Sequence, residues 1–221
     1  MDKYVKEIVV DTDVLGDWCT EIDTRKDSKL LQEIVLSLKQ TMREKNLLSL
    51  TAPQIGYNRR VFCIRFGTND YRTFVNPLIE NNTAFQFSRE TCSSIPDKTF
   101  IIPRFGNLKI FFTTPLGRVE STTLAGMSAF VFQHCMDHLN GMLLSDIGLE
   151  IDELFDNATE DEQAEVLKMY AESLDIRQKE LESQINDDPE LRDIDAASKF
   201  IESVKSGETQ LDNSSVENND E

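Results

Sequence analysis

Histidine is almost missing from this chain: there are two in 221 residues, His134 and His138. Cysteine is scarce as well. Four are too few to staple a chain of this length with disulfides, so each reads as a core residue, a ligand or a nucleophile. No apolar run is long enough to span a membrane, and the opening "MDKYVKEIVVD" has no signal-peptide character. These absences set the expectation of a reducing, cytoplasmic setting. Nor does any part carry the excess of positive charge that a nucleic-acid-binding face needs.

What is abundant is acid, and it is unevenly placed. The net charge is −17; from Glu150 onward there are 23 acidic and 6 basic side chains, leaving 17 of each sign before it. With 39% apolar residues and 13 phenylalanines, the neutral part can bury a core. The expected organisation is a neutral domain over 1–149, an acidic helical extension over 150–205, and an acidic tail over 206–221 too polar to fold.

Within the neutral part, "DSKLLQEIVLSLKQTMREKN" (27–46) predicts an amphipathic helix, with Leu30, Leu31, Ile34, Leu38 and Met42 at helical spacing and Asp27 or Ser28 as cap. Val61–Phe66, "YRTFVNP" and "AFQF" predict strands, and "LKIFFTT" and "VESTT" predict a hairpin about "PLGR". Ala125–Asn140 predicts a helix that Gly141 stops; it is apolar nearly all round and belongs at the centre of the domain. Further on, "TEDEQAEVLKMYAESLDIRQKELESQI" predicts a charged helix with Leu167, Leu174 and Leu181 seven apart, and "DPELRDIDAASKFIESVKSG" a shorter one.

Both histidines fall in "FQHCMDHLNG", four residues apart, so they share one face of the central helix. That is the spacing of the H-E-x-x-H metal signature, but Cys135 stands at the Glu position. A tetrahedral site needs a third ligand from elsewhere, and "RETCSSIP" supplies Cys92 from a loop or strand edge. Cys19 and Cys63 read as core thiols. Gln54 and Glu90 can satisfy buried backbone groups, Asp137 can orient a ligand or face water, and Met127 and Phe130 suit either a core or a pocket wall.

Taken in order, "LTAPQIG", "ETCSSIP" and "QHCMDHLNG" resemble the three motifs of the peptide deformylases, G-x-G-x-A-A-x-Q, E-G-C-x-S and Q-H-E-x-D-H, over roughly residues 8–148. The resemblance implies an α+β fold with a central metal-binding helix surrounded by mostly antiparallel sheet. It implies one divalent metal, Fe²⁺ or Zn²⁺, held by Cys92, His134 and His138, and a substrate that is the N-terminal segment of a formyl-methionyl peptide. Gln54 and the Ser93 backbone N–H would stabilise the developing oxyanion. Leu48, Ser49, Met127, Phe130 and Val131 would shape the methionine pocket.

The departures from the family pattern gather at the chemistry. The motif glycines are Leu47, Ser49 and Thr91, the first motif alanine is Thr51, and Phe130 stands where a smaller aliphatic residue is usual. Cys135 replaces the proton-carrying Glu and leaves three readings open: a packing residue, a fourth ligand, or a working base. Two functions follow. One is a catalytically impaired relative used as a binding or assembly module, its acidic segment a partner surface. This reading extends to a virus-encoded protein serving particle assembly in a host cytoplasm. The other is an active deformylase with an altered base.

Overall fold

A computed structural model describes residues 4–187 of the chain, and from 174 on its backbone alone. The shorter helix expected after residue 188 and the tail over 206–221 lie outside the described residues. The chain divides into two units, parting between Gly148 and Leu149.

The first unit opens with a short helix α1 (Thr12–Leu15) capped by the Asp11 carboxylate, then α2 (Ser28–Glu44). Asp27 occupies the N-cap of α2 without a side-chain bond to it. Five antiparallel strands follow, β1 (Ser49–Thr51), β2 (Val61–Arg65), β3 (Tyr71–Cys92), β4 (Ile95–Thr113) and β5 (Val119–Ala125), hydrogen-bonded in that order. Helix α3 (Met127–Leu139) comes next, then a single turn, α4 (Leu144–Ile147).

Strand period sorts the core into two layers. On β2, Val61 and Cys63 join Leu31, Ile34, Leu38 and Met42 of α2. The alternate residues Phe62 and Ile64 join Phe74, Leu108, Ile110 and Leu124 under α3, which contributes Phe132, Cys135, Met136 and Leu139. The rings of Phe62, Phe74 and Phe132 meet edge-to-face or tilted at 5.1–5.4 Å. Cys19 and Cys63 are buried in these layers, as expected of core thiols. Met127 departs from the all-buried expectation for α3: at its first turn it is 65% exposed.

"YRTFVNP" and "AFQF" belong to one strand, not two. Pairing with β4 runs from Val75↔Thr113 to Cys92↔Ile95 and overrides the breaker signals between them. Pro77, which cannot donate to a ladder, falls in the register shift between Val75 and Leu78. A further shift between Glu90 and Cys92 bulges the strand end, and Ser93 and Ser94 turn it into β4. Cys92 is therefore the last residue of a strand.

The second unit holds β6 (Leu149–Ile151), α5 (Glu153–Asn157) and α6 (Glu160–Asp187). Asp152 caps α5 by accepting from the N–H groups of Leu154 and Phe155. Thr159 and Glu162 form a reciprocal cap for α6. No helix among the described residues is long and apolar enough to cross a membrane.

Candidate metal centre

Gly126, at φ +57°, turns the chain out of β5, and its carbonyl accepts the first N–H bonds of α3. The helix then carries His134 and His138 one turn apart, with ring centroids separated by 5.2 Å. Cys92, at the end of β3, meets them from the sheet: Sγ lies 3.2 Å from His138 Nε2. One ligand atom from each of Cys92, His134 and His138 can be chosen so that all lie within 4.8 Å of one another.

The donor set fits a metal ion. Bonds of about 2.0–2.3 Å to one sulfur and two nitrogens place tetrahedral ligands within that spread. Glu90 Oε2 lies 2.9 Å from His134 Nδ1 and can accept the Nδ1–H, the tautomer that leaves Nε2 as the lone-pair donor to a metal. Ser94 N–H and Gln54 Nε2 approach Sγ at 3.4 and 3.6 Å, so the sulfur is surrounded by donors. Burial opposes ionisation of Cys92, but hydrogen bonds from the two imidazoles outweigh it and the thiol comes down to about 5. His134 moves the other way: against burial, Cys92 and Glu90 raise it to about 9.

Behind the ligands lies a buried ionic chain that the sequence did not assemble. Arg104 on β4 forks onto Glu90 at 2.7 and 2.9 Å and reaches Asp137 of α3 at 2.7 Å. Its side chain is 4% exposed. Glu90, despite burial, is held down to about 2 by Arg104 and His134. Asp137 is pushed up by burial, which Arg104 only partly offsets. Arg104 sits in "IIPR", and no short-range pattern marks it; Glu90 and Arg104 meet because β3 and β4 pair.

Gln54 follows Pro53 in a short 3₁₀ turn. Its Oε1 accepts from Thr51 N–H and Oγ1 at 3.1 Å each, which leaves the amide N–H groups for Ser93 Oγ at 3.3 Å, Ser94 Oγ at 3.1 Å and Cys92. An open cleft of about 340 Å³ lies beside the triad. Leu48, Ser49, Gln54, Ser93, Met127, Phe130 and Val131 line it, together with Leu47, Thr91, Glu90, Cys92 and His134. Nine of the predicted site residues thus line one cleft; His138 lies behind it, held to the site as one of the clustered donors, and Cys135 is in neither group. Cys135 has 0% exposure, packs in the core under α3, and is neither a cleft-lining residue nor one of the clustered donors. Burial raises its thiol strongly; a hydrogen bond with Ser49 offsets little of that.

Fold and donor set define an α+β domain built around a Cys-His-His metal-type site. Residues 5–151 match the polypeptide deformylase family. A peptide deformylase of Dictyoglomus turgidum is 31% identical over 140 residues, covering 62% of this chain and 90% of the relative. The crystal structure of peptide deformylase from Thermotoga maritima superposes with a TM-score of 0.60 at 30% identity, over 65% of this chain and 97% of that one. A class I type b peptide deformylase from Acinetobacter baumannii, solved with Met-Ala-Ser bound, gives 0.60 at 26% identity, over 65% and 98%. The chain belongs to the peptide deformylase family.

Proposed function

We propose that this protein holds one divalent metal, Fe²⁺ or Zn²⁺, on Cys92, His134 and His138, and binds peptide N-termini beside it with hydrolysis of the formyl group strongly impaired. One observation carries the reading. Glu90 is the sole carboxylate among the cleft-lining residues, and both its oxygens are engaged by Arg104 and His134. The family's proton-carrying position is Cys135, whose buried thiol is pushed away from the range useful near neutrality.

The rest of the machinery supports binding. A bound metal supplies Lewis acidity toward a carbonyl oxygen. Gln54, fixed by Thr51, offers an amide N–H to the same oxygen, and the Ser93 backbone N–H adds a second donor. Leu48, Ser49, Met127, Phe130 and Val131 form the wall for the first side chain, which Phe130 narrows. The Met-Ala-Ser complex of the Acinetobacter relative supports a peptide N-terminus as the ligand class. The acidic segment from residue 150 serves as surface for a protein partner, the reading that suits an assembly role; nothing in the charge pattern favours nucleic acid.

The test measures formyl-Met-Ala-Ser turnover and Met-Ala-Ser binding on the same anaerobically prepared, metal-analysed sample. Binding with turnover near the free-metal background is expected. Turnover at ordinary enzyme rates would refute the impairment. A protein that takes up no metal after loading with Fe²⁺ or Zn²⁺ would refute the site.

A further inference from the structure

Exposed apolar side chains stand at and beyond the cleft. Among the described residues, Leu48 (44%) and Met127 (65%) are large apolar side chains left exposed, and both stand at its mouth. A third, Phe85, is 57% exposed and lies on β3, the strand that lines the cleft from Ser88 to Cys92. Its ring meets Phe87 at 5.7 Å and Phe105 across the ladder at 6.1 Å, both nearly edge-on. This aromatic shelf is tied to the metal-type site. Gln133, the residue before His134, bonds both the N–H and the C=O of Phe105, at 3.0 and 2.8 Å. Beside it, a Cβ on Gly106 would displace the Gln86 amide and come within 3.2 Å of the Ala84 carbonyl oxygen.

Exposed apolar clusters continuous with a cleft mark binding surfaces, and a strand leading out of a cleft is a template for an added strand. We infer that the cleft continues as a peptide track along β3 to the Phe85–Phe87–Phe105 shelf. Its ligand is an extended peptide with its N-terminus at the Cys92 end and an aromatic or large apolar side chain at the sixth or eighth position. The position follows from strand rise. Phe87 and Phe85 lie five and seven residues from Cys92, about 17 and 23 Å at about 3.3 Å per residue, and a strand laid antiparallel advances at the same rate. A peptide, and not a second copy of the chain, is the occupant because shelf and cleft share one strand and one supporting helix. This inference rests on the cleft being a site for peptide N-termini.

The test uses the full, metal-loaded chain and measures competition for binding by three unformylated peptides: Met-Ala-Ser, Met-Ala-Ser-Ser-Ser-Ser-Ser-Ser, and the same octapeptide with Phe at positions 6 and 8, which share the shelf's face. The Phe peptide should bind about tenfold more tightly than the all-Ser octapeptide. Phe85→Lys should abolish that gain while leaving Met-Ala-Ser binding as it was. Equal affinity for the two octapeptides, or a gain that survives Phe85→Lys, overturns the track. So does sedimentation showing a wild-type dimer that Phe85→Lys splits, since the shelf would then belong to a second copy. Failure of a folded, metal-loaded sample to bind even Met-Ala-Ser overturns the underlying reading of the cleft instead.

Discussion

Neighbouring positions on helix α3 meet opposite environments. His134 faces Cys92 and Glu90, in a cluster where every charge has a counter-charge and Arg104 is forked between two carboxylates. Cys135, one residue on, is sealed among Phe62, Phe132 and Leu139. A buried ionic chain persists only if all its members stay paired, because removing one strands the others in low dielectric. A buried apolar position has no such constraint: a side chain of suitable size fills it. The ligand side therefore tolerates little change, whereas the Cys135 side has accepted both a thiol and the Ser49 hydroxyl that bonds it.

The comparison breaks first if Arg104 proves dispensable. Arg104→Met leaves Glu90 and Asp137 buried without their cation and should cost about 3–5 kcal/mol of stability in urea unfolding. A loss below about 1 kcal/mol would mean the ionic chain is not integral to the fold.

Cys135→Glu, combined with Ser49→Gly to make room, tests the other side. A positioned general base contributes roughly 10²- to 10⁴-fold, so formyl-Met-Ala-Ser turnover should rise by that order while KM stays high, because Leu47, Thr91 and Phe130 still crowd the cleft. A double variant that folds, binds metal and stays inert would place the defect in the site's geometry.

Glu90→Gln sharpens the ligand side. It keeps the shape and removes the charge that orients His134, and should weaken metal affinity about 10- to 100-fold in chelator competition. It should also flatten the acid limb of stability. The folded-state pKa of Glu90 lies below its ordinary value, so the stability it provides is fully present above about pH 4.5 and is lost as pH falls toward 2. Asp137 shares Arg104 with Glu90 and its raised pKa acts in the opposite sense, so the wild-type minus Glu90→Gln difference reads the coupled pair.

The smallest effect belongs to Cys135→Ala. Removing one buried sulfur should cost about 1 kcal/mol and leave metal stoichiometry unchanged. Loss of metal here would make Cys135 a ligand after all.

Much of this was legible along the chain. The i, i+4 histidines, Cys92 in its motif, and the periodic faces of α2 and α3 are local patterns, and local patterns survive folding. The long β3 was not legible: Pro77 and the paired Asn81 and Asn82 signal a break, and only the ladder to β4 shows that the strand runs on. The fate of Asp137 was likewise undecidable, since its partner Arg104 lies on another element thirty-three residues away.

By itself, then, the sequence determined the family, the three clustered donors, the missing carboxylate at position 135 and the separation of neutral from acidic chain, because each is fixed by residue identity and short spacing. Tertiary structure alone decided that Cys135 is sealed in the core, that Arg104 binds Glu90 to Asp137, and that Phe85, Phe87 and Phe105 gather into one aromatic cluster. Burial and charge pairing depend on which strands become neighbours, and that is a property of the packed chain.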